Sequence, residues 1–354
     1  MTLMMDYIYD SIAIDRNVFT NKQIENVVNQ IDFSNIKRVI FVGSGSSDNA
    51  AVIAKYDFEK YTDCEVMTYT PEIFVETKLP EDVDHVLTVF TSATGNSRWT
   101  NIALNYAHEK GFITIALSAV SDSSFVKSAD YFIDLLSGDE KTYAKSKGVS
   151  STILTIKLLG LEIGKRKKII DYKKEKENIL YDIEQMESTL EKAIQYVNEN
   201  PYWCTAKHMT IIGDKTHYGN AQEFALKLSE TLNIPTKHSN MSEFVHGTHR
   251  GVDRNSFIIV ILTDETHKEV IETIIGLEKI AYKVLVINGT NLNFENQFKI
   301  NNPYHLDMTL SINTFIQVFS SMVPEIIGID INSKINEELV TRASAMVDYS
   351  LKKY

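Results

Sequence analysis

The sequence predicts an α/β protein made of two related, doubly wound parallel-sheet lobes joined by helices. Three observations carry this. Residues 37–137 alternate short β-branched and aromatic runs with amphipathic helical segments, an order that produces a parallel sheet covered on both faces. The order starts again near Met209. In both halves the first strand ends in a glycine-containing turn directly before a helix, Val39-Ile40-Phe41-Val42-Gly43-Ser44 in one and Met209-Thr210-Ile211-Ile212-Gly213-Asp214 in the other, which marks an internal repeat.

The elements follow in chain order. A helical lead-in occupies residues 1–30. Residues 37–42, 64–70, 85–91, 112–118 and 131–136 are apolar runs bounded by Gly, Ser, Asp or Pro and read as strands. Between them, 48–60 and 97–110 carry helical spacing. A longer helix spans about 150–166. Charged helical sequence continues to about 198, with no dense apolar face, and reads as a connector. In the second half, 209–214, 257–262 and 283–288 read as strands, with helices over 218–232 and through 280. The expected boundaries are a lead-in over 1–30, a first lobe over 31–166, a connector over 167–198, a second lobe over 199–345 and a tail over 346–354.

Bulk properties narrow the function. A chain of 354 residues with 44% hydrophobic content can bury two ordinary cores. Its two cysteines, Cys64 and Cys204, form neither a disulfide framework nor a metal-binding spacing. The first residues lack a basic region followed by a long apolar run, and no segment reaches membrane-spanning length, so a cytoplasmic protein with no membrane partner is expected. The net charge of -11 disfavours nucleic acid, which is bound by clustered Lys and Arg. The densest basic run, Lys165-Arg166-Lys167-Lys168, precedes the mixed Lys173-Lys174-Glu175-Lys176-Glu177 and reads as a solvated helix face. None of this excludes one phosphate ester, which a few amides and hydroxyls at a helix start can hold.

Two turns fit such an ester. Gly43-Ser44-Gly45-Ser46-Ser47 joins a strand to a helix, with glycines for close backbone approach and hydroxyls at Ser46 and Ser47. A dinucleotide fingerprint would need a third glycine where Asp48 stands. An ordinary capped turn is the bland alternative. The second turn, Thr91-Ser92-Ala93-Thr94-Gly95-Asn96-Ser97, repeats the chemistry at another strand end of the same lobe. In the second lobe the matching turn reads Leu262-Thr263-Asp264-Glu265-Thr266, whose carboxylates repel phosphate. The first lobe is therefore expected to hold the phosphate.

Acid/base candidates lie in the second half. Glu223, Lys227 and Glu230 are spaced four and three apart on one predicted helix face. Such a ladder is either a surface ion-pair array or, since the helix follows a strand-end turn, a source of proton transfer, with Glu230 as base and Lys227 stabilising negative charge. His246, in the turn Glu243 to Gly247 ahead of His249 and Arg250, is either a solvated loop residue or a general acid or base. Glu243, His246 and His249 lack the further ligand that a metal site needs. No metal and no cofactor are expected.

In combination these residues resemble the double-lobed sugar isomerase (SIS) family, whose lobes are flavodoxin-like, and especially the isomerase half of glucosamine-6-phosphate synthase. The specific parts are Gly45-Ser46-Ser47, Ser92-Ala93-Thr94-Gly95-Asn96-Ser97, Ala144-Lys145-Ser146-Lys147, Ala225-Leu226-Lys227-Leu228-Ser229-Glu230 and Glu243-Phe244-Val245-His246-Gly247. The resemblance implies that Ser46, Ser47, Ser92, Thr94 and Ser97 hold a sugar phosphate. It implies Glu230 as the base shuttling a proton between C1 and C2, Lys227 as its neighbouring lysine, and His246 as the histidine assisting ring opening. In that family this histidine often comes from the partner subunit, which implies a homodimer with shared active sites.

The chain also departs from the synthase. Ala93 replaces a glutamine and Lys145 a serine, Thr248-His249-Arg250 follows where proline is usual, and Leu339 stands in place of the tail lysine. The chain opens without the cysteine nucleophile of a glutaminase domain. Stand-alone fructosamine 6-phosphate deglycases, which keep the Glu/His pair without the tail lysine, are similar in this respect. The expectation is a metal-free phosphosugar isomerase or deglycase; a non-catalytic phosphosugar sensor is the alternative.

Overall fold

In the computed structural model, which describes residues 2–213, 215–343 and 346, apolar runs and helices alternate as their periodicities require. Asp214 and the tail beyond Met346 lie outside the described residues. The first half contains α1 (Leu3–Thr20), α2 (Gln23–Gln30), β1 (Arg38–Gly43), α3 (Ser46–Thr62), β2 (Glu65–Tyr69), α4 (Pro71–Glu76), β3 (Val86–Thr91), α5 (Arg98–Glu109), β4 (Ile113–Ser118), α6 (Ser124–Lys127), β5 (Tyr131–Asp134) and α7 (Lys147–Lys167). The second contains α8 (Tyr172–Glu199), β6 (Met209–Gly213), α9 (Tyr218–Leu232), β7 (Thr236–Ser239), α10 (Met241–His246), β8 (Phe257–Leu262), α11 (Lys268–Ile280), β9 (Lys283–Asn288), β10 (Gln297–Lys299), α12 (Thr309–Ile326) and α13 (Glu337–Arg342).

The chain divides into two compact units. The front unit comprises Ala13–Lys141, Lys147–Glu177 and the described residues from 333 onward; the rear unit comprises residues 2–12, Thr142–Ser146 and Asn178–Asn332. The front sheet has the order β2-β1-β3-β4-β5, with every pairing parallel. The rear sheet, β10-β9-β8-β6-β7, is the same order read from the other edge and is also parallel throughout. Central strands are covered on both faces, so β3 and β8 are buried at every position. Packed on the front sheet are Phe74, Ala103, Leu104 and Phe125, and on the rear sheet Met241, Phe244, Ile274 and Leu277. Each fully buried aliphatic or aromatic side chain contributes roughly 1.5–3 kcal/mol.

One expectation is corrected. Residues 167–198 are not a connector lacking an apolar face, because α8 buries Ile179, Ile183, Met186, Leu190, Ala193 and Val197. Their spacing of four and three makes a single stripe, and Lys and Glu at the intervening positions mask it in the sequence. In the rear unit α8 also supplies Asp182, whose Oδ2 accepts from the Leu310 amide at 2.8 Å and whose Oδ1 accepts from the Ser311 amide at 3.0 Å. Those amides open α12, where a helix has no internal acceptors for them. The basic stretch 165–177 is largely exposed as expected, apart from Glu175, which pairs with Lys60 at 2.8 Å.

Candidate functional site

Both hydroxyl-rich turns of the front unit leave the same end of one sheet. β1 and β3 are direct neighbours with Gly43 opposite Thr91, and the chain departs from them to opposite sides, β2 lying beyond β1 and β4 beyond β3. Such a divergence is where open α/β sheets take ligands. Glycine at 43 suits this tight turn, because a Cβ there would lie 3.0 Å from the Asp48 amide nitrogen and the Ser47 carbonyl carbon and would push on the backbone of α3. The turn brings the first amides of α3 to the sheet end.

Ser46 and Ser47 begin α3 and are half-buried. The Ser47 hydroxyl makes no hydrogen bond among the described residues, which leaves it available. Beside it, burial pushes the Asp48 carboxyl up to about 6, since desolvation penalises the charged form. In the second turn Thr94 is exposed, whereas Ser92 is buried and its Oγ accepts from the Ser97 amide at 3.4 Å. Ser97 caps α5 by position, and its Oγ accepts from Thr100 at 2.8 Å. Ser92 and Ser97 thus brace this loop from within, while the exposed Thr94 accepts from the Asn96 amide at 3.3 Å and keeps its own proton to donate, and Ser47 is the open hydroxyl of the neighbouring turn. Ser97 also bridges to Met346 in antiparallel fashion.

In the rear unit α9 begins where β6 ends. Gly213 allows this, since a Cβ would stand 2.1 Å from the His217 carbonyl oxygen. One face of α9 presents the predicted ladder, and burial decides what it is. The Lys227 ammonium, 1% exposed at its side chain, lies 3.5 Å from Glu223 Oε1 and 2.5 Å from Glu230 Oε2. Glu223 is equally buried, while Glu230 retains 20% side-chain exposure. This is not a solvated surface array. A buried cation must be paired, and here two carboxylates share it, with only Glu230 reaching the outside. Glu230 Oε1 makes no hydrogen bond among the described residues, so one carboxylate oxygen is anchored and the other is open.

His246 ends α10, a short helix where the sequence reading expected a turn between strands. Asn240 starts that helix by accepting from the Glu243 amide at 2.9 Å, which is ordinary N-capping chemistry. His246 is exposed and has no hydrogen-bond partner among the described residues. Next to it His249, also exposed, shares its Nδ1 with the Phe244 carbonyl at 3.3 Å. A cavity of about 520 Å3 runs along β7 and the turn after α10, lined by His208, Lys237, His238, Thr248 and Gly251. Burial holds His238 below the usual imidazole range. Lys145 has its Nζ 2.7 Å from the Thr142 carbonyl, and Leu339 is exposed on α13. No group of three or more His, Cys, Asp or Glu among the described residues is arranged to hold a metal ion.

Sequence reasoning overlooked one cluster at the rear sheet end, where Lys215, His217, His267 and Asp307 line a small cavity with Thr263 and Asp264. The available signal was His217 and Asn220 three apart just after a strand.

The SIS domain family matches residues 32–161 and 204–322, one segment in each half. The chain belongs to the SIS domain family. Among curated proteins, glutamine–fructose-6-phosphate aminotransferase [isomerizing] of Fusobacterium nucleatum is 27% identical over 271 residues, covering 73% of this chain and 44% of that protein. The chain therefore spans less than half the length of that relative. A Clostridium difficile 630 protein assigned as a phosphosugar isomerase superposes with a TM-score of 0.88 at 26% identity, covering 97% of this chain and 98% of the other. The C-terminal domain of glucosamine-fructose-6-phosphate aminotransferase from Francisella tularensis shares the fold at a TM-score of 0.86 and 20% identity, covering 94% and 98%. This is a phosphosugar isomerase-like SIS protein, similar to the isomerase half of those aminotransferases. Among the described residues no helix is long and apolar enough to cross a membrane.

Proposed function

We propose that this protein moves a proton between C1 and C2 of an aminated or ketose hexose 6-phosphate, as an isomerase or a fructosamine-phosphate deglycase. The observation that carries this reading is Glu230, one oxygen held 2.5 Å from a buried lysine and the other open. A carboxylate fixed in this way is oriented for proton abstraction without being neutralised by a mobile partner.

In this reading Ser47, Thr94 and the first amides of α3 receive the phosphate, with Ser46, Ser92 and Ser97 shaping the two turns. His246 moves the proton that accompanies ring opening, from the anomeric hydroxyl to the ring oxygen. Glu230 then removes a proton from the carbon next to the carbonyl or imine, and the electron pair passes into an enediol or enaminol. Returning the proton to the adjacent carbon completes an isomerisation. With an amine on C1 the same transfer gives a C1 imine, and water displaces the amine to leave the aldose phosphate. Lys227, which is too buried to touch a substrate, positions Glu230 and balances charge. The exposed, unpartnered His246 is suited to serving a second copy of the chain, so a homodimer with shared sites belongs to this reading.

Purified protein is assayed by mass spectrometry against glucosamine 6-phosphate, fructose 6-phosphate and phosphorylated fructosamines. On the substrate that turns over, Glu230→Gln lowers kcat by about 10²–10⁴-fold with KM little changed, as expected for loss of a general base. Full turnover by that variant rejects the mechanism. Tight binding of these sugars with no turnover by the parent protein identifies a sensor instead.

A further inference from the structure

The rear sheet has a divergence of its own. The chain leaves β6 towards β7 and leaves β8 towards β9 on the other side, with Gly213 opposite Ile261. A cavity of about 120 Å3 lies at these strand ends, bounded by Lys215, His217, Thr263, Asp264, His267 and Asp307. None of these residues serves the proton transfer proposed above. The space equals that of roughly four liquid waters, enough for a group of a few heavy atoms.

The wall carries both signs of charge. Lys215 takes φ 47°, in the left-handed region, at the step of the turn where the front unit places Gly45 at φ 57°. Holding a side chain there costs conformational energy that glycine avoids, and such outliers collect at ligand sites. Lys215 Nζ touches His267 Nε2, which lies 3.1 Å from Asp264 Oδ2. The Thr266 hydroxyl and amide hold the Asp264 carboxyl below the usual range. His217 is buried, with Nδ1 3.3 Å from Asn220 Nδ2 and Nε2 2.6 Å from Thr263 Oγ1. In the tautomer with Nδ1 accepting from the Asn220 amide, Nε2–H donates to Thr263 and leaves the threonine's own proton to give; in the other tautomer Thr263 donates to Nε2. Thr216 donates to Asp307 Oδ1 at 3.1 Å, and Oδ2 makes no hydrogen bond among the described residues. Asn220 Oδ1 is likewise buried without a partner.

Among the described lining residues, one lysine stands against two carboxylates, which disfavours a phosphate dianion, and the lysine disfavours a bare cation. We propose that this cavity is a second ligand site that takes a small zwitterion, a molecule with one carboxylate and one ammonium such as a free α-amino acid. The carboxylate meets Lys215 and the Thr263 hydroxyl; the ammonium meets Asp307 and Asp264.

Calorimetry of the full chain with glycine, L-alanine, acetate, methylammonium and inorganic phosphate tests the proposal. Glycine or L-alanine binds at millimolar concentration or below, and acetate and methylammonium bind about tenfold more weakly, because each lacks one charge-assisted contact. Lys215→Gly, which relieves the backbone and so keeps the fold, weakens glycine and L-alanine binding about tenfold, and Asp307→Asn does the same. No heat with either amino acid, equal binding of acetate, tighter binding of phosphate, or binding unaltered in Lys215→Gly overturns it. If Asp307→Asn does not fold, Lys215→Gly carries the test alone.

Discussion

Asp48 shows how one position can couple a binding turn to pH. Its carboxyl is raised from 3.8 to about 6 by burial, so between these values the folded protein binds a proton that the unfolded chain releases. The stability this group contributes is complete below pH 3.8 and falls as pH rises through about 6. With solvent screening allowed for, the loss is of order 2 kcal/mol. Chemical denaturation of the parent and of Asp48→Asn at pH 4 and pH 7 is expected to show the variant gaining by about that amount at pH 7 and not at pH 4; parallel curves would remove the assignment. The serine and glycine chemistry around Asp48 was readable in advance, because a strand-to-helix turn declares itself within seven residues. The Glu223, Lys227 and Glu230 spacing was equally local. What local reading could not supply was burial, which turns that spacing from a surface ladder into a buried lysine with one exposed carboxylate. Lys215 and His267, 52 positions apart, meet only through the pairing of β6 with β8.

Among the elements, α8 and α12 illustrate the same limit on a larger scale. α8 buries its apolar stripe and also supplies the carboxylate that caps α12, accepting from Leu310, Ser311 and the Ser311 hydroxyl at 2.6 Å. Asp182→Ala leaves two amides without acceptors at a buried helix start, and urea denaturation is expected to show a loss of about 2–4 kcal/mol. A change below about 0.5 kcal/mol would mean that other groups satisfy those amides. Strands β1, β3, β4, β8 and β9 were legible as continuous apolar runs because parallel strands buried on both faces must be apolar throughout. β7, with Thr236-Lys237-His238-Ser239, and the three-residue β10 were not, since edge strands need little apolar burial and draw their order from the neighbour they pair with. α10 was read as a turn because six residues are too few to show helical periodicity.

For the whole molecule, the repeat matters more than either half. The same strand order occurs in both units, yet one carries donor hydroxyls at its sheet end and the other a mixed-charge cavity. If His246 serves a partner copy, equal amounts of Glu230→Gln and His246→Ala subunits, mixed and allowed to exchange, recover about a quarter of parental turnover, since half of the dimers are mixed and each of those has one intact site of two. No recovery would place His246 with the Glu230 of its own chain. The sequence by itself determined the α/β class, the duplication, the phosphate-suited turns and the Glu230 and His246 candidates, because each is written in short-range periodicity or local chemistry. Only the tertiary structure decided that Lys227 is buried between two carboxylates, that Ser92 braces while Ser47 stays open, and that the rear strand ends gather Lys215, His267 and Asp307. Those outcomes depend on which strands become neighbours and on what their packing shuts off from water, and neither is a property of any short stretch of chain.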